Sequence, residues 1–197
     1  MLTKTVKTKN IMKKAFLTLM SAALLIGLSS FTGENKKAPI TLNVVAEKSR
    51  VDWIGSKAGD YHTGSFTVKS GQVQVEDGKL TGGSFVIDLA NLKVTDGAGD
   101  RLAGHLKSAD FFDVAKFGEA TYTITGVNYT GEGTCEINGN LNIKGATVAV
   151  KFNANIRSAS EKGLFGQAYF SVDRTAFGIL YNGPAKDVQL AIHLFAK

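Results

Sequence analysis

From Val51 onward, apolar side chains recur at every second position. Val51 and Trp53 flank Asp52, Phe66 and Val68 flank Thr67, and Val73 and Val75 flank Gln74. Phe85, Ile87 and Leu89 continue the pattern, as do Tyr122 and Ile124 among threonines. Ile137, Leu141 and Ile143 stand among Glu136 and three asparagines, and Val148, Val150, Phe152, Ala154 and Ile156 alternate with Ala149, Lys151, Asn153 and Asn155. Ala168, Phe170 and Val172, then Val188, Leu190, Ile192 and Leu194, complete the series. A period of two sends successive side chains to opposite faces of a strand, so each strand has one dry face and one wet face. Breaks such as Glu76-Asp77-Gly78, Lys144-Gly145 and Asn182-Gly183 suit hairpin turns. About eight such strands must enclose a common interior, as an antiparallel sandwich or a closed barrel.

Residues 100–113 depart from this period. Leu102 and Leu106 lie one helical turn apart, Asp100 is the expected N-cap, and Lys107 suits the negative end of the helix dipole. A second short turn follows, in which Phe111 and Phe112 stand between Asp110 and Asp113. The rings are expected to point inward and the acids into water, so that the segment forms a lid across one end of the barrel.

The formal net charge of +6 would suit a polyanion-binding protein, but it is unevenly placed. Five lysines and no acid lie in residues 1–33, which leaves 18 bases against 17 acids in the remainder. From Met12 the chain reads two lysines, an apolar run over Ala15–Leu28, and then small and polar residues. That is the plan of a secretory signal, and the run is short for a membrane span. The competing reading is an uncleaved anchor. No cysteine lies near the end of the run, so a lipoprotein is not expected. The expected organisation is a leader over 1–33, a polar lead-in over 34–48 with a short apolar stretch at Leu42–Val45, and one barrel domain over 49–197. The expected location is the periplasm. The nearly neutral remainder, with its charges dispersed, gives no nucleic-acid-binding stripe.

Catalytic and metal motifs are missing. His62, His105 and His193 are accompanied by no G-x-S-x-G elbow, no H-E-x-x-H and no phosphate loop. His105 is read as a helix histidine hydrogen-bonded near the barrel mouth, and His193 as outward-facing. The single cysteine, Cys135, excludes an intrachain disulfide and shares the parity of Ile137, so it is expected to be buried and inert. The aromatic residues exceed what a minimal filled barrel needs, and Gly55, Ala154 and Ala168 leave room beside them. On pattern alone, a ligand cavity and an ordinary packed core remain open alternatives.

The segment Gly104-His105-Leu106-Lys107-Ser108-Ala109-Asp110-Phe111-Phe112-Asp113 resembles the H-L-x-S-x-D-F-F-D signature of the YceI family, exported lipid- and polyisoprenoid-binding proteins with a lipocalin-like barrel. Val51-Asp52-Trp53 and His62-Thr63-Gly64-Ser65-Phe66 resemble the family's first two strands. Gly139-Asn140-Leu141-Asn142-Ile143-Lys144-Gly145-Ala146-Thr147 resembles its G-x-L-x-I-x-G-x-T stretch, and Asp173-Arg174-Thr175-Ala176-Phe177-Gly178-Ile179 its late D-R-x-x-F-G. Gly118 stands where many members have proline, and Arg101-Leu102-Ala103-Gly104-His105 where many have R-D-x-H-L.

The resemblance implies an all-β, lipocalin-like barrel of about eight antiparallel strands, with an elongated apolar cavity, no catalysis, no metal and no cofactor. The implied ligand is an isoprenoid, a quinone or a fatty chain, with transient membrane contact and no nucleic acid as partners. Trp53, Phe66, Phe85, Ile87 and Tyr122 would line the tunnel together with Ile124, Val150, Phe152 and Phe170. Leu102, Leu106, Phe111 and Phe112 would cap it. His105, Ser108, Asp110 and Asp113 would hold the lid, and Arg174, Phe177 and Gly178 the late turn. The alternative function is a structural or partner-binding barrel with a filled core and no ligand.

Overall fold

In a computed structural model the described residues are 38–197, so the expected leader lies outside them. Among these residues the strands are β1 (Ile40–Asn43), β2 (Arg50–Lys57), β3 (Asp60–Glu76), β4 (Lys79–Val94), β5 (Glu119–Gly131), β6 (Thr134–Ile143), β7 (Ala146–Ser160), β8 (Gly163–Asp173) and β9 (Pro184–Ala196). One α-helix, α1 (Gly99–Lys107), lies between β4 and β5, and a 3₁₀ turn, Arg174–Phe177, lies between β8 and β9.

Every pairing is antiparallel, in the order β1-β3-β2-β9-β8-β7-β6-β5-β4, and β4 pairs back onto β3 to close the ring. β1 and β2 both bind the edge of β3 opposite β4, at Gln72–Val75 and at Asp60–Thr67 respectively. Together they fill one position, so nine strands make an eight-stranded closed barrel. Residues 40–43, read from sequence as part of a polar lead-in, are therefore wall. Asn43 and Lys197 exchange backbone hydrogen bonds at 2.7 and 2.8 Å, which zips this strand to the chain's last residues.

The turn chemistry explains the hairpins. Asp77 and Gly78 have φ of 49° and 72°, and Lys144 and Gly145 have 54° and 81°. Positive φ at both central residues gives the twist that joins β3 to β4 and β6 to β7 without splaying them. The inward stripe changes parity between Val68 and Val73, both of which are buried. A register shift between Val68 and Ser70 accounts for this, since one extra residue flips the faces that follow.

Buried side chains gather in two clusters. One includes Leu42, Val73, Val75, Leu80, Cys135 and Ile137 at the end away from α1. The other places Val51, Trp53, Phe66, Leu89 and Leu92 against Leu106 and Phe111. Cys135 is wholly buried, and burial pushes its thiol pKa up, which keeps it protonated.

Close approach to glycine shapes the interior. A Cβ on Gly139 would lie 2.4 Å from Cζ of Tyr122 and 2.6 Å from the Thr123 carbonyl oxygen. The missing side chain is the seat on which the Tyr122 ring lies. Gly139→Val is expected to destabilise the barrel by about 1–3 kcal/mol through overpacking, read as a lower urea midpoint; an unchanged midpoint would refute this seat.

Candidate functional site

The barrel encloses a cavity of ≈ 210 Å³. On β8 its lining runs from Leu164 to Val172, about 26 Å along the strand, or about 20 Å along a barrel axis to which strands tilt by roughly 40°. The space is long and narrow. Its wall includes Trp53, Phe66, Phe85, Ile87 and Tyr122, with Ile124, Val150, Phe152 and Phe170 on the strands that follow. Gly55, Ala154 and Ala168 also line it, as small inward residues should. A solidly filled interior is therefore not what this chain builds. Tyr122 donates its hydroxyl to the Val150 carbonyl at 3.1 Å, and burial pushes its pKa up to about 12, so it remains a neutral, occupied donor.

Aromatic rings continue from the wall into the lid. Trp53, Phe66, Phe112 and Phe111 form a chain with centroid separations of 6.3, 5.8 and 5.4 Å. Leu106, Phe111 and Phe112 reach the cavity. Leu102, expected beside them, does not; it packs against the buried cluster under the lid. One helical turn separates Leu102 from Leu106, so the shorter distance to the mouth falls to Leu106 alone.

The start of the lid also differs from expectation. The N-cap of α1 is Ala98, and Asp100 lies within the first turn. The tie is supplied by Asp96, whose Oδ1 accepts the Ala98 N–H at 2.8 Å while Oδ2 accepts the Thr63 N–H at 2.8 Å. Nδ1 of His62 lies 3.2 Å from the same Oδ2. The two backbone N–H groups and His62 hold the Asp96 carboxyl below its usual pKa. An aspartate accepting from the N–H two residues on is a turn signal legible in sequence, but it stands before the residue expected to cap.

At the other end of the lid, Ser108 Oγ donates to the His105 carbonyl at 2.8 Å. Asp113 has φ of 51° and a side chain only 12% exposed, paired with Lys116 at 3.2 Å. It is not in open water, because the turn folds it back. Asp110 is exposed and, among the described residues, its carboxyl has no hydrogen bond or ion pair, so it does not fasten the lid. That work falls to Lys144, which donates to the carbonyls of Ala109 at 3.1 Å and Phe111 at 2.8 Å. Nothing local in the sequence singles out Lys144. The β6–β7 turn brings it to carbonyls more than thirty residues away.

His105 is not hydrogen-bonded through its ring as expected. Its Nε2 is buried without a partner, and the imidazole packs edge-on against Tyr181 and Phe111 at 4.6 and 6.1 Å. Ring packing takes the place of a polar contact here. Beside it, Arg174 is 6% exposed and surrounded by carbonyls. Nε donates to Ala185, Nη1 to Ile179, and Nη2 to Tyr181 and Pro184. The guanidinium also lies 5.9 Å from the centre of the Phe111 ring. A buried charge needs such a dense set of acceptors. Phe177 is buried, and Gly178, at φ of 72°, closes the 3₁₀ turn that carries Arg174. His193 faces outward toward Gln167 and Asp52.

A closed antiparallel barrel with a lidded, apolar interior is a lipocalin-like barrel. Residues 31–196 match the YceI-like domain, and the chain belongs to that family. A UPF0312 protein of Pseudomonas fluorescens is 29% identical over 181 residues, covering 88% of this chain and 94% of the relative. Another, from Pseudomonas putida, is 30% identical over 145 residues, covering 73% and 72%. Among solved structures, BcnA of Burkholderia cenocepacia aligns with a TM-score of 0.70 at 22% identity, covering 78% of this chain and 99% of BcnA. A polyisoprenoid-binding domain from Saccharophagus degradans, implicated in plant cell wall breakdown, aligns at 0.62 and 15%, covering 79% and 97%. At these identities the structural likeness is one of fold.

Lys144→Met removes both clasps and is expected to raise hydrogen exchange across residues 108–113 with little change in global stability; unchanged exchange there would contradict the clasp. Asp96, with its folded pKa held below 3.8, adds stability above about pH 4 that is lost as pH falls through the folded value. In thermal unfolding, the advantage of the parent over Asp96→Asn should be full at neutral pH and vanish in acid. An advantage independent of pH would contradict a charge-based tie.

Proposed function

We propose that this chain is a non-enzymatic binding protein that holds an isoprenoid, a quinone or another long-chain amphiphile in the barrel tunnel. The observation that carries the reading is the chemistry of the lining. Over about 20 Å the wall is almost wholly hydrocarbon and aromatic, and its two strongly polar side chains, Gln167 and Arg174, are occupied elsewhere. Gln167 is engaged by Arg157 and His193, and Arg174 by backbone carbonyls. No histidine, carboxylate, serine or lysine is among the lining residues, and the one hydroxyl there, that of Tyr122, is donated to the Val150 carbonyl. Membership of the YceI-like family and the fold shared with a polyisoprenoid-binding domain support the same reading.

Burial of a chain contributes about 0.8 kcal/mol per methylene, so ten methylenes supply about 8 kcal/mol before the cost of immobilising the chain. That gross figure equals the free energy of a micromolar complex. Transport, storage or sequestration of such a chain suits a protein working outside the cytoplasm, with brief membrane contact to collect and deliver it. The leader pattern of residues 1–33 supports that location.

Organic extraction of the purified protein followed by mass spectrometry is expected to recover a long-chain amphiphile. In titrations with saturated fatty acids, each added methylene should tighten binding by up to about fourfold until the tunnel is full, after which affinity levels off. Ala154→Phe, which places a ring in the void, should weaken binding at least tenfold while the barrel stays folded. A chain-length series with no slope, together with empty extracts, would refute the reading.

A further inference from the structure

Backbone pairing between neighbouring strands lapses over two long stretches of the barrel wall, besides the bulge at Leu89–Leu92 of β4, where Leu89 and Leu92 are buried. β4 and β5 pair only from Ser84/Thr123 to Asp88/Glu119, so they part toward the end away from the lid. That gap is sealed. Leu80 is 3% exposed, and its N–H donates to Tyr129 Oη at 2.7 Å, bridging the two strands. The second gap differs. β7 and β8 pair only from Ala154/Ala168 to Ser160/Gly163. Toward the lid, Ala146–Asn153 pair with β6 alone and Tyr169–Asp173 with β9 alone. This opening is about 16 Å tall and ends at the 3₁₀ turn, Arg174–Phe177.

Only side chains span it. Phe152 and Phe170 stack across the seam with centroids 4.1 Å apart and an interplanar angle of 8°. Both are partly exposed and both line the tunnel, as do Val150 and Val172 closer to the lid. The lid end, by contrast, is fastened by directional bonds: Lys144 to two carbonyls of the lid and Asp96 to two N–H groups at its start. Stacked rings can slide or rotate without breaking a hydrogen bond, whereas each lid tie must be broken to lift the lid. On the outer face the seam is edged by Asn153 and Ser171, exposed and free of partners, and by the exposed Tyr169.

Resting on the reading that the tunnel holds a chain amphiphile, we propose that the chain passes sideways between β7 and β8, through the Phe152–Phe170 stack. Its polar end rests outside that seam, where Asn153 and Ser171 suit a small hydrogen-bonding head group: a hydroxyl, a carbonyl or a carboxyl. The apolar tail then fills the tunnel, and the lid stays shut throughout.

The test uses cis-parinaric acid, whose fluorescence rises on burial, in a Cys135→Ala background. Lys151→Cys with Ser171→Cys, bridged by a short bismaleimide, staples the seam. Ala109→Cys with Lys144→Cys, bridged in the same way, staples the lid. Each is compared with its own unbridged form and with the Cys135→Ala parent, because Lys144→Cys alone removes the lid clasp. The seam staple should slow uptake at least tenfold and the lid staple less than twofold. Phe152→Ala, which needs no linker, should speed uptake several-fold, an effect on the association rate that lost contact area alone does not give. Uptake slowed by the lid staple instead, or untouched by the seam staple and by Phe152→Ala, would overturn the lateral route while leaving the ligand reading intact. Absence of any binding by the unbridged proteins would overturn the ligand reading and the route with it.

Discussion

When β4 hydrogen-bonds back to β3, the sheet becomes a ring and the inner faces of eight strands turn toward one axis. Strands that are apolar on one side only have no other way to hide that side without a second sheet or covering helices. Closure also decides where irregularity can be tolerated. The bulge after Val68 restores the inward stripe that continues at Val73, and β1 completes the position that β2 leaves short.

Inside the ring, the balance between filling and emptiness depends on small residues. Gly139 lets Tyr122 lie flat against β6, and Ala154 and Ala168 keep β7 and β8 from crowding the axis. The end away from the lid closes by dense aliphatic packing around Val73, Val75 and Leu80. The lid end closes differently. There the helix and two loops must be joined to a barrel rim, and the joints are polar: a buried guanidinium among carbonyls, an aspartate among N–H groups, and a lysine on the lid's own backbone. Directional bonds fix a cover, while nondirectional packing fills a base.

Much of this was legible in the alternation of residues. Of the thirteen side chains read as facing the tunnel or capping it, all but Leu102 face the cavity; for the nine on strands this follows because strand parity assigns a face without knowledge of neighbours. The H-L-x-S-x-D-F-F-D resemblance located the lid. It did not reveal how the lid is held, since Asp110 is exposed whereas Lys144 and Asp96 carry the ties. His105 likewise packs between rings where a polar partner was expected. Sequence spacing identifies faces and turns. It carries little about contacts between residues thirty or more positions apart.

By itself, then, the sequence determined the strand period, the hairpin turns and the parity of the inner face, which follow from local backbone geometry, and its signature motif marked the lid. Tertiary structure alone decided that nine strands fill eight positions, that a cavity remains between two packed clusters, and that β7 and β8 part beside it. Each of these depends on how distant strands register once the ring has closed. A period of two is the same for a strand paired along its whole length and for one paired along half.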